Sequence, residues 1–237
     1  MPSLQAIERH PHLSQPLPEG WVRVDMHSHT MWSGDCTTTP DELLAAVEES
    51  GIDVLCITDH NATAGAQKMV DELPCRVIIG EELRVGSGEL IGLFLSERIP
   101  GGTNLIEAAH MIRDQGGITY VPHPFDPMRN CLSPGAIDQL VDAGLVDAFE
   151  VRNAKTSLES LNRQAAEFAE MHDLAPGAGS DAHVPDALGA AFVEMPDFDD
   201  PVSFLASLRL GRTVGHHFDK ARPWTPRIVP SVPDNPS

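Results

Sequence analysis

Histidine ends an apolar run four times in this sequence. The segments are Val22-Arg23-Val24-Asp25-Met26-His27-Ser28-His29, Val54-Leu55-Cys56-Ile57-Thr58-Asp59-His60, Ile118-Thr119-Tyr120-Val121-Pro122-His123, and Leu174-Ala175-Pro176-Gly177-Ala178-Gly179-Ser180-Asp181-Ala182-His183. In two of them a second donor stands two residues away, as His-x-His and Asp-x-His. Residues two apart on an extended chain point to the same side, so both side chains of such a pair can reach one ion. Neutral imidazole together with carboxylate suits zinc, manganese or iron, with magnesium also admissible. Any one of these histidines alone reads as an ordinary polar loop residue, but four strand ends together favour a metal site. About four ligands saturate a zinc ion, so a larger donor set implies two or three ions that share carboxylates.

Such side chains meet only if the strands that carry them lie side by side. The spacing of apolar residues and turn signals predicts strands at 21–26, 53–57, 76–79, 118–121, 146–151, 174–178, 190–194 and 213–214. Segments 83–85 and 89–95 flank Gly86-Ser87-Gly88 and read as a hairpin. Helices are expected at 40–50, 64–73, 103–115, 134–143, 157–172 and 201–210. The 40–50 helix has its signals in place: Thr39 to cap it, Pro40 in its first turn, Asp41 and Glu42 at its positive end and Gly51 to stop it. This β-α alternation argues for one parallel-sheet α/β domain over residues 21–229, as a barrel or a doubly wound sheet. In either architecture ligands gather at the carboxyl rim of the strands, where the histidines fall. Residues 1–20 and 230–237 are polar and Pro-rich without periodicity, and are expected to be a flexible arm and a flexible tail.

Composition narrows the partners. Sixteen Lys+Arg against 35 Asp+Glu leave a formal net charge of −19, and aromatic residues are 5% of the 237. Such a surface repels long nucleic acids and anionic membranes, and few aromatics are left for base stacking. An anionic small molecule stays admissible, because a local cationic centre overrules the global field. The four cysteines, Cys36, Cys56, Cys75 and Cys131, form no C-x-x-C pair, and neither an apolar leader nor a run of ~18 apolar residues is seen. The expectation is a cytoplasmic protein with reduced thiols. The oligomeric state is open.

The carrying segments, Asp25-Met26-His27-Ser28-His29-Thr30, Thr58-Asp59-His60-Asn61, Gly80-Glu81-Glu82, His123-Pro124 and Ser180-Asp181-Ala182-His183, resemble the motifs of the PHP (polymerase and histidinol phosphatase) family and stand in that family's order. The resemblance implies a distorted (β/α)7-type barrel of roughly seven strands with a two- or three-metal cluster in its mouth. It implies metal ligands at His27, His29, His60, His123, Asp181 and His183. It adds Asp35, one position later than the usual Ser-Asp-Gly, and Glu82 as the bridging carboxylate with Glu81 in reserve. Where many members carry a histidine on the strand after the bridging Glu, this chain has Glu89, which is either a carboxylate ligand or an exposed strand residue.

The activity implied is hydrolysis of a small phosphate ester or nucleotide, in which paired divalent ions lower the pKa of a bridging water to give hydroxide and take up charge on the phosphoryl oxygens. Arg129 and Arg152 are the candidate phosphate clamps. Asp25 and Asp59, each beside a ligand histidine, are candidates for orienting the imidazoles. His10 and His12 fall in the arm, and His110, His172, His216 and His217 read as packing or surface residues. Three other readings stay open: an exonuclease-like hydrolase of nucleic-acid ends or short oligonucleotides, hydrolysis at carbon as in related amidohydrolases, and a non-catalytic metal-binding regulatory module. Specificity is expected in rim segments 84–88, 125–133 and 153–157.

Overall fold

In the computed structural model, which describes residues 1–221, the strands form one nine-stranded sheet in the order β7-β6-β5-β4-β3-β2-β1-β8-β9. The strands are β1 (Trp21–Ser28), β2 (Val54–Ile57), β3 (Arg76–Val85), β4 (Gly88–Leu93), β5 (Ile118–Val121), β6 (Ala148–Asn153), β7 (Ala175–Gly179), β8 (Ala191–Pro196) and β9 (Arg212–Gly215). β1, β2 and β3 run parallel, with Val24 opposite Val54 and Val54 opposite Arg76. β5, β6 and β7 are also parallel, with Tyr120 opposite Ala148 and Ala148 opposite Ala175. Seven strands curl into a nearly closed barrel because the chain just after β7 bonds back to β1. The Asp181 N–H donates to the His27 carbonyl at 2.8 Å and the His29 N–H to the Ala182 carbonyl at 3.0 Å. β8 and β9 continue the sheet outside this seam, β8 antiparallel to β1 and β9 antiparallel to β8.

The seam dictates a glycine. A Cβ on Gly179 would lie 2.3 Å from the Cβ of His27 and 2.8 Å from its backbone nitrogen. No other residue lets β7 approach β1 this closely.

Outside the barrel lie α1 (Leu4–Arg9), α2 (Pro40–Ser50), α3 (Ala64–Met69), α4 (Leu105–Asp114), α5 (Pro134–Asp142), α6 (Glu159–Met171) and α7 (Pro201–Leu210). α2 has the expected ends: a reciprocal Thr39–Glu42 capping box, Pro40 in the first turn, and Gly51 at φ 68°. α4 turns Leu105, Ala108, Ala109 and Ile112 inward against Leu90, Val121 and Phe149. Among the described residues no helix is long and apolar enough to cross a membrane.

Three expectations change. The sheet is mixed, because β4 is antiparallel to both β3 and β5. β3 is one ten-residue strand rather than two pieces, since Glu81 and Glu82 interrupt its apolar run yet are both buried. Residues 1–20 are also not the expected loose arm. Ser3 caps α1, Pro11–Ser14 makes a 3-10 turn, and Ala6 and Leu13 pack into a cluster with Val47 and Phe192. These elements are each about one turn long, too short for a hydrophobic period to show. The tail at 230–237 lies outside the described residues, as does 222–229 of the expected domain.

Candidate metal centre

The donors converge at the carboxyl ends of the parallel strands. β1 ends on His27 and His29, and His60 follows β2. Glu82 and Glu89 lie diagonally on one face of the β3–β4 hairpin, where Glu82 is opposite Ile91 and Glu89 opposite Arg84. His123 follows β5, Asp181 and His183 follow β7, and Asp35 comes in on the loop after the Met31–Ser33 turn. Two donors sit in the left-handed region that non-glycine residues avoid, His123 at φ 30° and Asp181 at φ 50°. Such strain persists only where the surroundings enforce it.

Glu82 is the hub. Its Oε1 is 3.0 Å from His123 Nε2, while its Oε2 is 3.4 Å from His27 Nε2, 3.2 Å from His29 Nε2 and 3.2 Å from His60 Nδ1. Glu89 adds oxygens 3.7 Å from His60 Nδ1 and 3.8 Å from His123 Nε2. Asp35 Oδ2 lies 3.1 Å from His60 Nε2 and 3.5 Å from His183 Nε2. Asp181 Oδ1 is 3.3 Å from His183 Nδ1, 3.5 Å from His29 Nε2 and 3.8 Å from His27 Nε2. Four overlapping sets, His29/Asp35/His60/His183, His27/His29/Glu82, His27/His123/Asp181 and His60/Glu82/Glu89, each bring their ligand atoms within 4.8 Å of one another.

The donor set fits divalent cations better than it fits mutual hydrogen bonding. His27 and His29 point their Nε2 atoms at each other across 3.1 Å. When the His27 ring is neutral and gives its Nδ1–H to Glu150 at 3.2 Å, its Nε2 is a bare lone pair. His60 Nδ1 and His123 Nδ1 are buried without any hydrogen-bond partner, although the first lies 3.2 Å from Glu82. Charge argues the same way. Burial by itself raises the Glu82 carboxyl, but the facing His27, His123 and His29 hold it well below the usual carboxylate range. Burial likewise opposes ionisation of Asp35 and Asp181, and their cationic neighbours hold both well down. Burial and the neighbouring His183 press His29 down to about 3, whereas Asp35 and Glu82 overcome burial to lift His60 to about 9. Packed carboxylates of this kind need positive charge among them.

Three residues that motif reading passed over hold the cluster in place. Glu150, on β6, is fully buried and accepts from the His27 ring through Oε1. Its Oε2 accepts the His123 N–H at 2.6 Å and the Asn153 amide at 3.0 Å. Asn153 also donates to Asp181 Oδ2 at 3.3 Å. Lys155, in the 153–157 rim segment, places Nζ 3.0 Å from His183 Nδ1 and 3.5 Å from Asp181 Oδ1. A signal for Glu150 was present: it is the lone acid within the buried run Ala148-Phe149-Glu150-Val151.

Other expected residues take different places. Glu81 points away from the hub and accepts the Ile99 N–H at 2.8 Å, so Glu82 is the central carboxylate. Asp25 touches no imidazole. Its Oδ1 accepts the backbone N–H groups of His27 (3.2 Å) and Ser180 (2.9 Å), tying β1 to β7, and burial pushes it up to about 7. Asp59 accepts the Thr30 N–H and hydroxyl, both at 2.6 Å, and burial raises it to about 6. Both carboxylates position backbone rather than rings. Arg152 is engaged elsewhere, with Glu159 at 3.2 Å and the Gly215 carbonyl at 3.4 Å. Arg129 is at the rim: it lines a cavity of about 290 Å³ with His60, Glu82, Glu89, His123 and Lys155. His110 and His172 are exposed on or at the end of α4 and α6.

Comparisons with known proteins agree with this fold. A family model described as PHP-associated matches residues 159–213, from the start of α6 into β9. The uncharacterized protein MJ0417 of Methanocaldococcus jannaschii is 34% identical over 200 residues, 80% of each chain. A solved two-domain protein from Bacteroides vulgatus, containing a predicted PHP-like metal-dependent phosphoesterase, superposes with a TM-score of 0.66 at 18% identity over 85% of this chain and 67% of that one. An amidohydrolase from Chromobacterium violaceum, solved with bound sulfate and no metal, superposes with a TM-score of 0.57 at 17% identity over 70% of this chain and 89% of that one. With its seven-strand barrel, its rim of histidines around Glu82 and these relatives, the chain belongs to the PHP family.

Proposed function

We propose that the protein is a metal-dependent phosphoesterase that hydrolyses a small phosphate ester or nucleotide. The observation that supports it best is the pairing of a carboxylate-rich metal cradle with three cationic side chains, Lys155, Arg129 and Arg84, on the wall of the same cavity in a chain of net charge −19. His27, His29, His60, His123, His183, Asp35, Glu82, Glu89 and Asp181 would hold two or three divalent ions. Bound there, such ions would act as Lewis acids on a phosphoryl oxygen and acidify water.

The chain's own residues do the rest. Glu82 spans the middle of the cradle, with one oxygen toward His123 and the other toward His29, so that it would place negative charge beside bound cations. Glu150 keeps the proton of His27 on Nδ1, so that Nε2 faces the cradle as a donor. Lys155 and Arg129 supply N–H donors for the non-reacting phosphoryl oxygens. A cavity of about 290 Å³ suits a small ester better than a strand of nucleic acid.

Phosphate release is to be measured over a panel of phosphomonoesters, mononucleotides and end-labelled oligonucleotides. The protein is first stripped and reloaded with Mn, Zn, Fe or Mg, with His123→Ala as the control. Release from small esters that requires both metal and His123 is the expected result. Cleavage restricted to oligonucleotide ends, or amide cleavage without phosphate release, overturns the small-ester reading.

A further inference from the structure

We propose that His10, His12 and His216 form a second metal site, for a borderline cation such as Zn2+ or Cu2+, separate from the cluster around Glu82. The three rings form a triangle with centroids 5.0, 5.2 and 6.0 Å apart. His10 donates from Nε2 to the Asp186 carbonyl at 2.9 Å, and His12 donates from Nε2 to the Gly189 carbonyl at 2.8 Å. Each therefore carries its proton on Nε2 and turns a bare Nδ1 inward. Anchoring the outer nitrogen on a backbone carbonyl is how metal-binding imidazoles are held in the right tautomer.

The inward nitrogens do not satisfy one another. His216 meets His10 Nδ1 through Nε2 at 3.4 Å and His12 Nδ1 through Nδ1 at 3.3 Å. A neutral His216 has a single N–H, so one of these contacts sets two lone pairs face to face. A cation resolves the conflict. Two nitrogens on a tetrahedral zinc at about 2.0–2.1 Å stand roughly 3.4 Å apart, the separation seen in both pairs. His216 reaches its partners through different nitrogens, so taking one ion requires its ring to turn about the soft Cβ–Cγ torsion. Phe192 and Phe218 wall the site, with centroids 5.3 Å from His12 and 5.1 Å from His10. The nearby Arg9 is already paired with Asp186 at 3.2 Å. An ion here would fasten the amino-terminal segment to the end of β9.

The test is metal stoichiometry on the full chain. Chelator-stripped protein is equilibrated with Zn2+, passed through gel filtration, and the bound zinc counted by elemental analysis. The H12A/H216A variant is expected to hold one zinc fewer per chain than the parent and to lose part of the zinc-induced rise in melting temperature, with the same circular dichroism. His12→Gln, which keeps a polar side chain at this half-buried position, is the second variant and is expected to weaken that one ion at least tenfold. Equal zinc content and equal melting shifts in parent and variants overturn the proposal. So does a change confined to acid stability, which would show that a proton and not a metal bridges the rings. Neither readout depends on phosphate release, so failure of the proposed activity leaves this test standing.

Discussion

Glu150→Gln isolates how the barrel prepares its metal donors. The wild-type carboxylate accepts on both sides: Oε2 takes the His123 N–H at 2.6 Å and the Asn153 amide at 3.0 Å, and Oε1 takes the His27 Nδ1–H at 3.2 Å. Glutamine matches the shape but has one acceptor and one NH2. Its oxygen is best left at the Oε2 position, where it serves two donors. The NH2 then faces His27 Nδ1, which must give up its proton and accept. The proton moves to Nε2, the atom that points at His29 and Glu82, and the lone pair meant for a cation is lost. In the opposite rotamer two buried donors go unanswered, at a cost of about 1–3 kcal/mol each. Disturbing such a partner typically weakens metal binding about 10–100-fold, or ~1.4–2.7 kcal/mol. Competition against a chromophoric chelator measures the loss directly, and circular dichroism checks that the fold is kept. An affinity within about twofold of wild type, with the fold unchanged, would refute the claim that Glu150 sets the His27 tautomer.

Four more outcomes follow from the same contacts. Glu82→Gln lowers the ion count whereas Glu81→Gln leaves it unchanged and lowers only stability, because Glu81 holds the Ile99 N–H and faces none of the histidines around Glu82; elemental analysis and urea melts separate the two. Gly179→Ala destabilises the protein by at least about 1–3 kcal/mol in chemical denaturation, since its methyl overlaps His27 at the seam. Lys155→Ala lowers kcat/KM for phosphate esters about tenfold or more while Arg152→Ala stays near wild type, because of these two Lys155 alone lines the cavity. Burial lowers His10 from 6.5 to about 4, so the unfolded chain binds more protons between those values. In metal-free protein this contribution is intact above pH 6.5 and fades as the pH falls toward 4. It amounts to on the order of 2 kcal/mol after allowance for solvent screening; urea midpoints of His10→Gln should show a correspondingly flatter acid limb.

What the sequence disclosed depended on how local each signal was. The converging histidines were legible because each closes an apolar strand, and β-α alternation brings such ends to one rim. α2, β5 and α7 have the boundaries their caps and apolar runs indicate. The choice between Glu81 and Glu82 was not local, for it depends on which face of β3 turns into the barrel. Glu89 was ambiguous beside its Gly turn, and only the antiparallel return of β4 brings it within 3.7 Å of His60. Arg152 looked like a phosphate clamp from its place on a strand, but that same strand directs it toward Glu159 and Gly215. Asp25 and Asp59 stood next to ligands in the chain and turned out to bind backbone and Thr30. Ordering of residues 1–20 depends on partners such as Val47, Asp186 and Gly189, which no window of sequence around them contains.

The position of β1 also constrains the order in which this molecule can assemble. β1 emerges early from the ribosome with His27 and His29 at its tip, yet one neighbour, β8, pairs Val193 with Val24, and the seam at its tip waits for Asp181 and Ala182. A chain stalled before Leu174 carries His27, His29, Asp35, His60, Glu82, Glu89 and His123 on a sheet still open along β1. Long-range closure of this kind is a slow, late event, and until it happens an unpaired strand is exposed to other chains. Synthesis therefore delivers more than half the donors well before the chain that fixes them, and the ion cradle is completed by some of the last residues of the barrel to be made.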